Sequence, residues 1–227
     1  MSIQIAIDGP ASSGKGTVAR SVACELDFSY IDTGAMYRVV ALLAEERGIS
    51  WGDAEGLGKL AEELDFGFQW SGEQLVVLVG ERDVSTQIRL EEIGQGASRV
   101  SEHPTVRTAL LSQQKRLGED GRVVMEGRDI GTVILPNADL KYYLDASLDE
   151  RARRRTQELR RRGVDASLEK IRTELAQRDL RDKNRVVAPL RQAPDAIYLD
   201  TTSLSVSEIV NLIIEKAKTL DVTGITE

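Results

Sequence analysis

A doubly wound α/β fold built on a parallel sheet is what this sequence predicts, and three observations carry the prediction. A short run that is almost wholly apolar, Ile3, Ile5, Ala6 and Ile7, opens the chain as a strand buried on both faces would. Directly after it, Val18, Val22 and Leu26, with Ala19 and Ala23 beside them, recur at helical spacing. From there strand-like runs and helical periodicity keep alternating, the pattern of parallel strands joined by crossover helices.

Taken in order, Phe28 to Asp32 reads as a second strand, and Gly34 to Gly48 as a helix with Met36, Val39, Val40 and Leu43 on its apolar face. The strings 122-RVVME-126, 140-LKYYLDA-146 and 196-AIYLD-200 read as further strands. Ser205 to Leu220 reads as a closing helix, and the last residues, 221 to 227, are expected to be loose. Two regions break the rhythm. Over 66 to 84, Phe66, Phe68 and Trp70 alternate with polar or small residues, and a Ser71-Gly72 turn and an apolar strand follow, which predicts a small antiparallel insert. Over 151 to 162, seven arginines fall in twelve residues.

Composition narrows the function classes. At 227 residues the chain can bury a good core as one domain with appended subdomains. A net charge of −7 argues against a generic nucleic-acid or anionic-membrane binder, which needs a broad positive field. One cysteine, Cys24, leaves no internal disulfide, and one histidine, His103, argues against a histidine-rich metal site or a Ser-His-Asp triad. The start lacks the basic and apolar segments of a signal peptide and no stretch is built to span a bilayer, so a cytoplasmic enzyme is expected.

The chemistry begins where the first strand ends. Gly9, Pro10, Ala11, Ser12, Ser13, Gly14, Lys15, Gly16 and Thr17 form a Gly-x4-Gly-Lys loop between strand and helix. The glycines allow backbone conformations that side chains forbid, successive N–H groups make an anion nest, and the helix N-terminus adds positive potential. Lys15 supplies a mobile charge for a transferring phosphoryl group. The loop departs from the common phosphate-binding pattern once: Gly16, not Ser or Thr, follows the lysine, and the hydroxyl comes from Thr17. The reading is a nucleoside triphosphate site. A regulatory GTPase would need an Asn-Lys-x-Asp guanine reader, and the string DKNR at 182 to 185 has the wrong order. A DNA-handling or transport ATPase usually needs more chain. A small-molecule kinase needs a second anion pocket.

Arg38 and Arg128 supply one. Each lies in a glycine-flanked stretch just past a predicted parallel strand, at the edge where ligands of open α/β sheets bind. Singly, each could be a solvated surface residue; as a pair their planar forks define a monophosphate seat. The run from Arg151 to Arg162 has three readings: a basic helix face packed against the acidic remainder, a nucleic-acid contact, which the lack of interleaved aromatic residues weakens, or a hinged lid that neutralises charge and excludes water during phosphoryl transfer. Further on, Arg178, Asp182 and Arg185 share one face if their helix continues, and an exposed salt-bridged helix is the plainer account of them.

The strings IAIDGPASSGKGT, YIDTGAMYR, EGRDIGTVILPNADLK and RDLRDKNRVVAP, in this order, closely resemble the bacterial-type cytidylate kinases over essentially the whole chain. The resemblance implies a core of about 1–34, 104–148 and 186–220, an enlarged monophosphate-binding region over about 35–103, and a lid over about 149–185, all in one domain of 1–227. It implies transfer of the ATP γ-phosphoryl group to CMP or dCMP with Mg²⁺. On it, residues 9 to 17 cradle the donor, Arg38 and Arg128 hold the acceptor phosphate, Arg178 and Asp182 address the sugar, and Arg185 attends the phosphates in transit. Ser98, Arg107 and Asp129 match base-contacting positions, and Thr33 stands near the sugar where some relatives have serine. Glu126 stands where others carry aspartate and is given no catalytic role. The assignment suits cytosine: Asp129 can accept from N4 while Arg107 and Ser98 donate to N3 or O2. Lys15, Arg128 and Arg185 are the expected catalytic set, and Thr17 is the expected metal-contacting hydroxyl. A kinase for UMP, AMP or shikimate is the rival, and a monomer without nucleic-acid or membrane partners is expected.

Overall fold

The computed structural model of the chain describes residues 3–71, 74–119 and 121–223. The backbone packs as two compact units, Met1–Tyr30 with Asp120–Glu227, and Ile31–Glu119.

The first unit carries most of a five-stranded sheet in the order β2-β6-β1-β7-β8, where β1 is Gln4–Asp8, β2 Ser29–Asp32, β6 Val123–Gly127, β7 Leu140–Asp145 and β8 Ile197–Asp200. β1 runs parallel to β6 from Gln4↔Val123 to Asp8↔Gly127 and parallel to β7 from Ile5↔Leu140 to Asp8↔Tyr143. Neighbours on both edges and cover on both faces explain the unbroken apolar run: Ile5, Ala6 and Ile7 have no exposed surface. The chain passes to one side of β1 for β2 and β6, then to the other for β7 and β8. The winding therefore reverses at β1, and a crevice for ligands opens outside the carboxyl ends of such strands.

Helix α1, Lys15–Leu26, turns Val18, Ala19, Val22 and Ala23 inward, as the sequence periodicity predicts. It packs on β6 and on α8, Val206–Thr223. The closing helix thus extends three residues into the tail expected to be loose, and residues 224–227 lie outside the described ones. Helices α6, Leu148–Arg161, and α7, Leu168–Asn184, pair through Ala152, Leu159, Ala166, Ile171 and Leu175, and Ala11 of the phosphate loop joins that small core.

In the second unit α2, Thr33–Glu46, packs on α4, Glu91–Val100, and α3, Ala54–Glu63, on α5, Pro104–Glu119. The sequence reading gives residues from 104 onward to the core; α5 instead lies with this unit, bound to α3 by apolar contacts such as those of Leu57, Leu60, Val106 and Leu110. The antiparallel insert is present: β3, Phe66–Ser71, pairs with β4, Gln74–Val79, from Phe66↔Val79 to Ser71↔Gln74, and β4 pairs with the short β5, Arg82–Asp83. Of the expected Ser71-Gly72 turn, Gly72 lies outside the described residues. No described helix is long and apolar enough to cross a membrane.

Candidate active site

The loop from Gly9 to Lys15 leaves the carboxyl end of β1. Gly9 has φ +152, and a Cβ there would overlap the Leu144 carbonyl oxygen, so no other residue fits. Gly14, left-handed at φ +91, starts α1 without a side-chain cap, which leaves the helix's first N–H groups for a ligand. Lys15 is buried, with Nζ 3.4 Å from the Pro10 carbonyl and 3.5 Å from Oε2 of Glu126. The other oxygen of Glu126 accepts from the Tyr30 hydroxyl at 2.7 Å. Thr17 sits exposed in the first turn of α1.

The loop is also held from outside. The Ala11 carbonyl accepts from Arg151 at 3.3 Å, and the Ser13 carbonyl accepts from the Thr201 hydroxyl at 2.9 Å and from Arg154 at 3.3 Å. Two arginines of the basic run, Arg151 and Arg154, therefore hold the backbone of the Gly9–Thr17 loop. Their neighbours Arg153 on α6 and Arg162 at its C-cap are exposed and paired to Glu150 and Glu158 of α6. The run is thus neither a uniform basic face nor a set of uncommitted cations.

After β6 the chain makes a π-helical turn over Ile130–Ile134, a rare geometry often found at functional sites. Asp8 anchors it, accepting from the backbone N–H of Ile130 and of Gly131, each at 2.8 Å. Burial outweighs those two bonds and pushes the Asp8 carboxyl up to about 7. Just before the turn, Arg128 donates through Nε to Asp182 at 2.9 Å, and Arg185 donates to Asp129 at 3.2 Å. Burial alone would raise the Asp182 carboxyl, but the charges of Arg128 and then Arg178 hold it below its ordinary range. Arg178 and Asp182 share a face of α7, four residues apart. Arg185 does not: α7 ends at Asn184, and Arg185 is its extended C-cap, donating through Nε to the Ala188 carbonyl at 2.6 Å. The expectation of three residues on one helix face is corrected to two, because the backbone turns out before the third.

In the second unit, Thr33 is buried in the first turn of α2, which Asp32 caps by accepting from Ala35 N–H at 3.0 Å. Arg38, one turn further on, donates to the Ile88 carbonyl at 3.0 Å and lies over Gly94 of α4, where a Cβ would stand 3.0 Å from its guanidinium. Ser98 is buried one turn beyond Gly94. Arg107, buried on α5, donates to the Ser101 carbonyl and stacks 5.5 Å from the centre of the Tyr37 ring.

The first unit thus brings together the donor loop, Arg128, Asp129, Asp182 and Arg185, and the second holds Thr33, Arg38, Ser98 and Arg107. Sequence reasoning gave Glu126 no role, saw Arg151 only as part of a basic run, and passed over Asp8, Tyr30, Asp179 and Thr201. Only Asp8 left a signal, as a carboxylate closing a doubly buried strand.

Comparison with known proteins agrees in one direction. A family model described as cytidylate kinase matches residues 5–219. A cytidylate kinase of Exiguobacterium sibiricum is 48% identical over 216 residues, covering 95% of this chain and 97% of the relative. One from Streptococcus gordonii is 49% identical over 218 residues, covering 95% and 96%, and one from Geobacillus kaustophilus is 48% identical over 213, covering 94% and 95%. Among solved structures, an uncharacterized protein from Eubacterium ventriosum shares the fold at a TM-score of 0.52 with 12% identity, covering 94% of this chain and 97% of its own.

Proposed function

The chain belongs to the cytidylate kinase family, and on that footing we propose the reaction its loops serve: the γ-phosphoryl group of ATP passes to CMP or dCMP, giving CDP or dCDP and ADP. The observation that carries the reading is that the family match, over residues 5–219, runs through every anion-holding segment at once. Those segments are the donor loop, the start of α2 with Arg38, the Arg128–Asp129 turn and the end of α7.

The mechanism needs positioning and electrostatics more than proton transfer. The attacking CMP phosphate is largely dianionic near neutral pH, its second pKa being about 6. Two polyanions must be held in line and their repulsion cancelled. Lys15 addresses the β and γ oxygens, Arg38 and Arg128 the acceptor phosphate, and Arg185 the group in transit. Ser98, Arg107 and Asp129 read the base, with Thr33, Arg178 and Asp182 toward the sugar. Mg²⁺ prefers oxygen ligands, keeps several waters and leans on substrate phosphates. The exposed Thr17 hydroxyl in the first turn of α1 would be the side chain that meets such a partly hydrated ion, directly or through water. When bound, Mg²⁺ neutralises charge on the donor phosphates. The protein acts as a cytoplasmic monomer with CMP or dCMP and ATP as its only partners, and the net charge of −7 supports leaving nucleic acid and membranes aside.

Initial rates of ADP release with CMP, dCMP, UMP, AMP, shikimate or no acceptor test this. CMP should exceed UMP in kcat/KM by about 10²-fold or more, because a carboxylate set against the uracil oxygen is left unpaired. Equal use of UMP would remove the role given to Asp129, and preference for AMP or shikimate would overturn the assignment.

A further inference from the structure

Arg151 is an arginine in the first turn of α6, only 5% exposed, with every edge of its guanidinium engaged. Nε donates to the Ala146 carbonyl at 2.9 Å, one terminal nitrogen to the Ala11 carbonyl at 3.3 Å, and the other to Oδ2 of Asp179 on α7 at 2.6 Å. The contact with Ala11 orients a peptide of the phosphate loop. In a trans peptide the carbonyl and the following N–H point to opposite sides, and the described chain has no cis bonds. A carbonyl of Ala11 turned toward Arg151 therefore turns the Ser12 N–H the other way. The Ser13 carbonyl, held by Thr201 and Arg154, does the same for the Gly14 N–H. These N–H groups are what such a loop offers a phosphate.

We infer that Arg151, fixed by Asp179, is a positioning residue for the donor-phosphate loop: it aims the loop's N–H groups from behind and touches no substrate. The inference rests on the donor-site reading above. Carboxylate and loop carbonyl compete for nothing, since they use different nitrogens, so the ion pair fixes the fork and the fork fixes the peptide. Lysine, a point charge, cannot hold both geometries. The link also runs from α7, which carries Arg178 and Asp182, to the backbone of the donor loop, without passing through any ligand.

Titration calorimetry separates this from a merely structural ion pair. ADP and CMP are titrated separately into the wild-type protein, Arg151→Lys and Asp179→Asn, with Tm recorded for each. Arg151→Lys should bind ADP about tenfold more weakly and CMP within twofold of wild type. Asp179→Asn keeps an acceptor oxygen but loses the charge, so it should weaken ADP about threefold and leave the ADP-to-CMP affinity ratio lowered. If both variants bind ADP as wild type does, or lose ADP and CMP affinity in parallel with falling Tm, Arg151 is structural and the inference fails. Should Arg151→Lys not fold, Asp179→Asn decides by the same ratio. Wild-type protein that binds no ADP would instead overturn the donor-site reading itself.

Discussion

A methyl group added at position 16 would stand 2.6 Å from Oε1 of Glu126. That carboxylate is not free to swing aside, because Tyr30 donates to the same oxygen at 2.7 Å and Lys15 lies 3.5 Å from the other. The glycine after the lysine is therefore a matter of space rather than backbone freedom. Gly16→Ser should lower kcat/KM for ATP by about tenfold or more, by displacing either the loop or the acid that steadies Lys15. Adding Glu126→Asp shortens the acid by one methylene and should restore most of that loss, as steady-state kinetics of the double variant would show. A double variant no better than Gly16→Ser would mean the contact is not the reason. The departure at Gly16 was visible in the sequence, but its cause was not, since Tyr30 on β2 and Glu126 on β6 meet the loop only through the sheet order β2-β6-β1.

Elements were more legible than their ends. The strands at β1, β2, β6, β7 and β8 and the helices α1, α2 and α8 follow from apolar runs and helical spacing, since burial on two faces or on one stripe imposes those patterns. The stop of α7 before Arg185 left no such mark, because no glycine or proline stands there. Nor did the π turn after β6, whose anchor, Asp8, is distant in sequence. That anchor makes stability depend on pH. The native Asp8 carboxyl sits near 7 against an ordinary 3.8, so as pH rises the unfolded chain loses this proton first. Its contribution is complete below pH 3.8 and is lost progressively as pH climbs through 7. Glu150, drawn down to about 2 by its hydrogen bond from Arg153, acts the other way, contributing above its ordinary 4.5 and losing it as pH falls toward 2. Between about pH 4 and 7, then, Tm should slope downward as Asp8 loses its proton more readily in the unfolded chain. Asp8→Asn should flatten that slope in thermal melts, and a profile parallel to wild type would show that Asp8 is not its source.

At the scale of the molecule, the sequence was most informative where chemistry demands particular residues in a row. The Gly9 to Thr17 loop and the strings around Arg38, Arg128 and Asp182 could be read directly, and the family match spans all of them. Least legible were the residues that act through other residues. Arg151 was one of seven arginines in a basic run, with nothing local to mark it as the one that reaches Ala11. Such roles arise only when α6 and α7 pack as a pair with the loop beneath them, their small core including Ala11 itself.

Transfer between two bound nucleotides is the central claim for this enzyme, and a quenched single turnover with ATP labelled in its γ-phosphate tests it most directly. With CMP present, the label should move to the β-phosphate of CDP, and without CMP it should stay on ATP. Label released as inorganic phosphate at a similar rate whether or not CMP is added would contradict it.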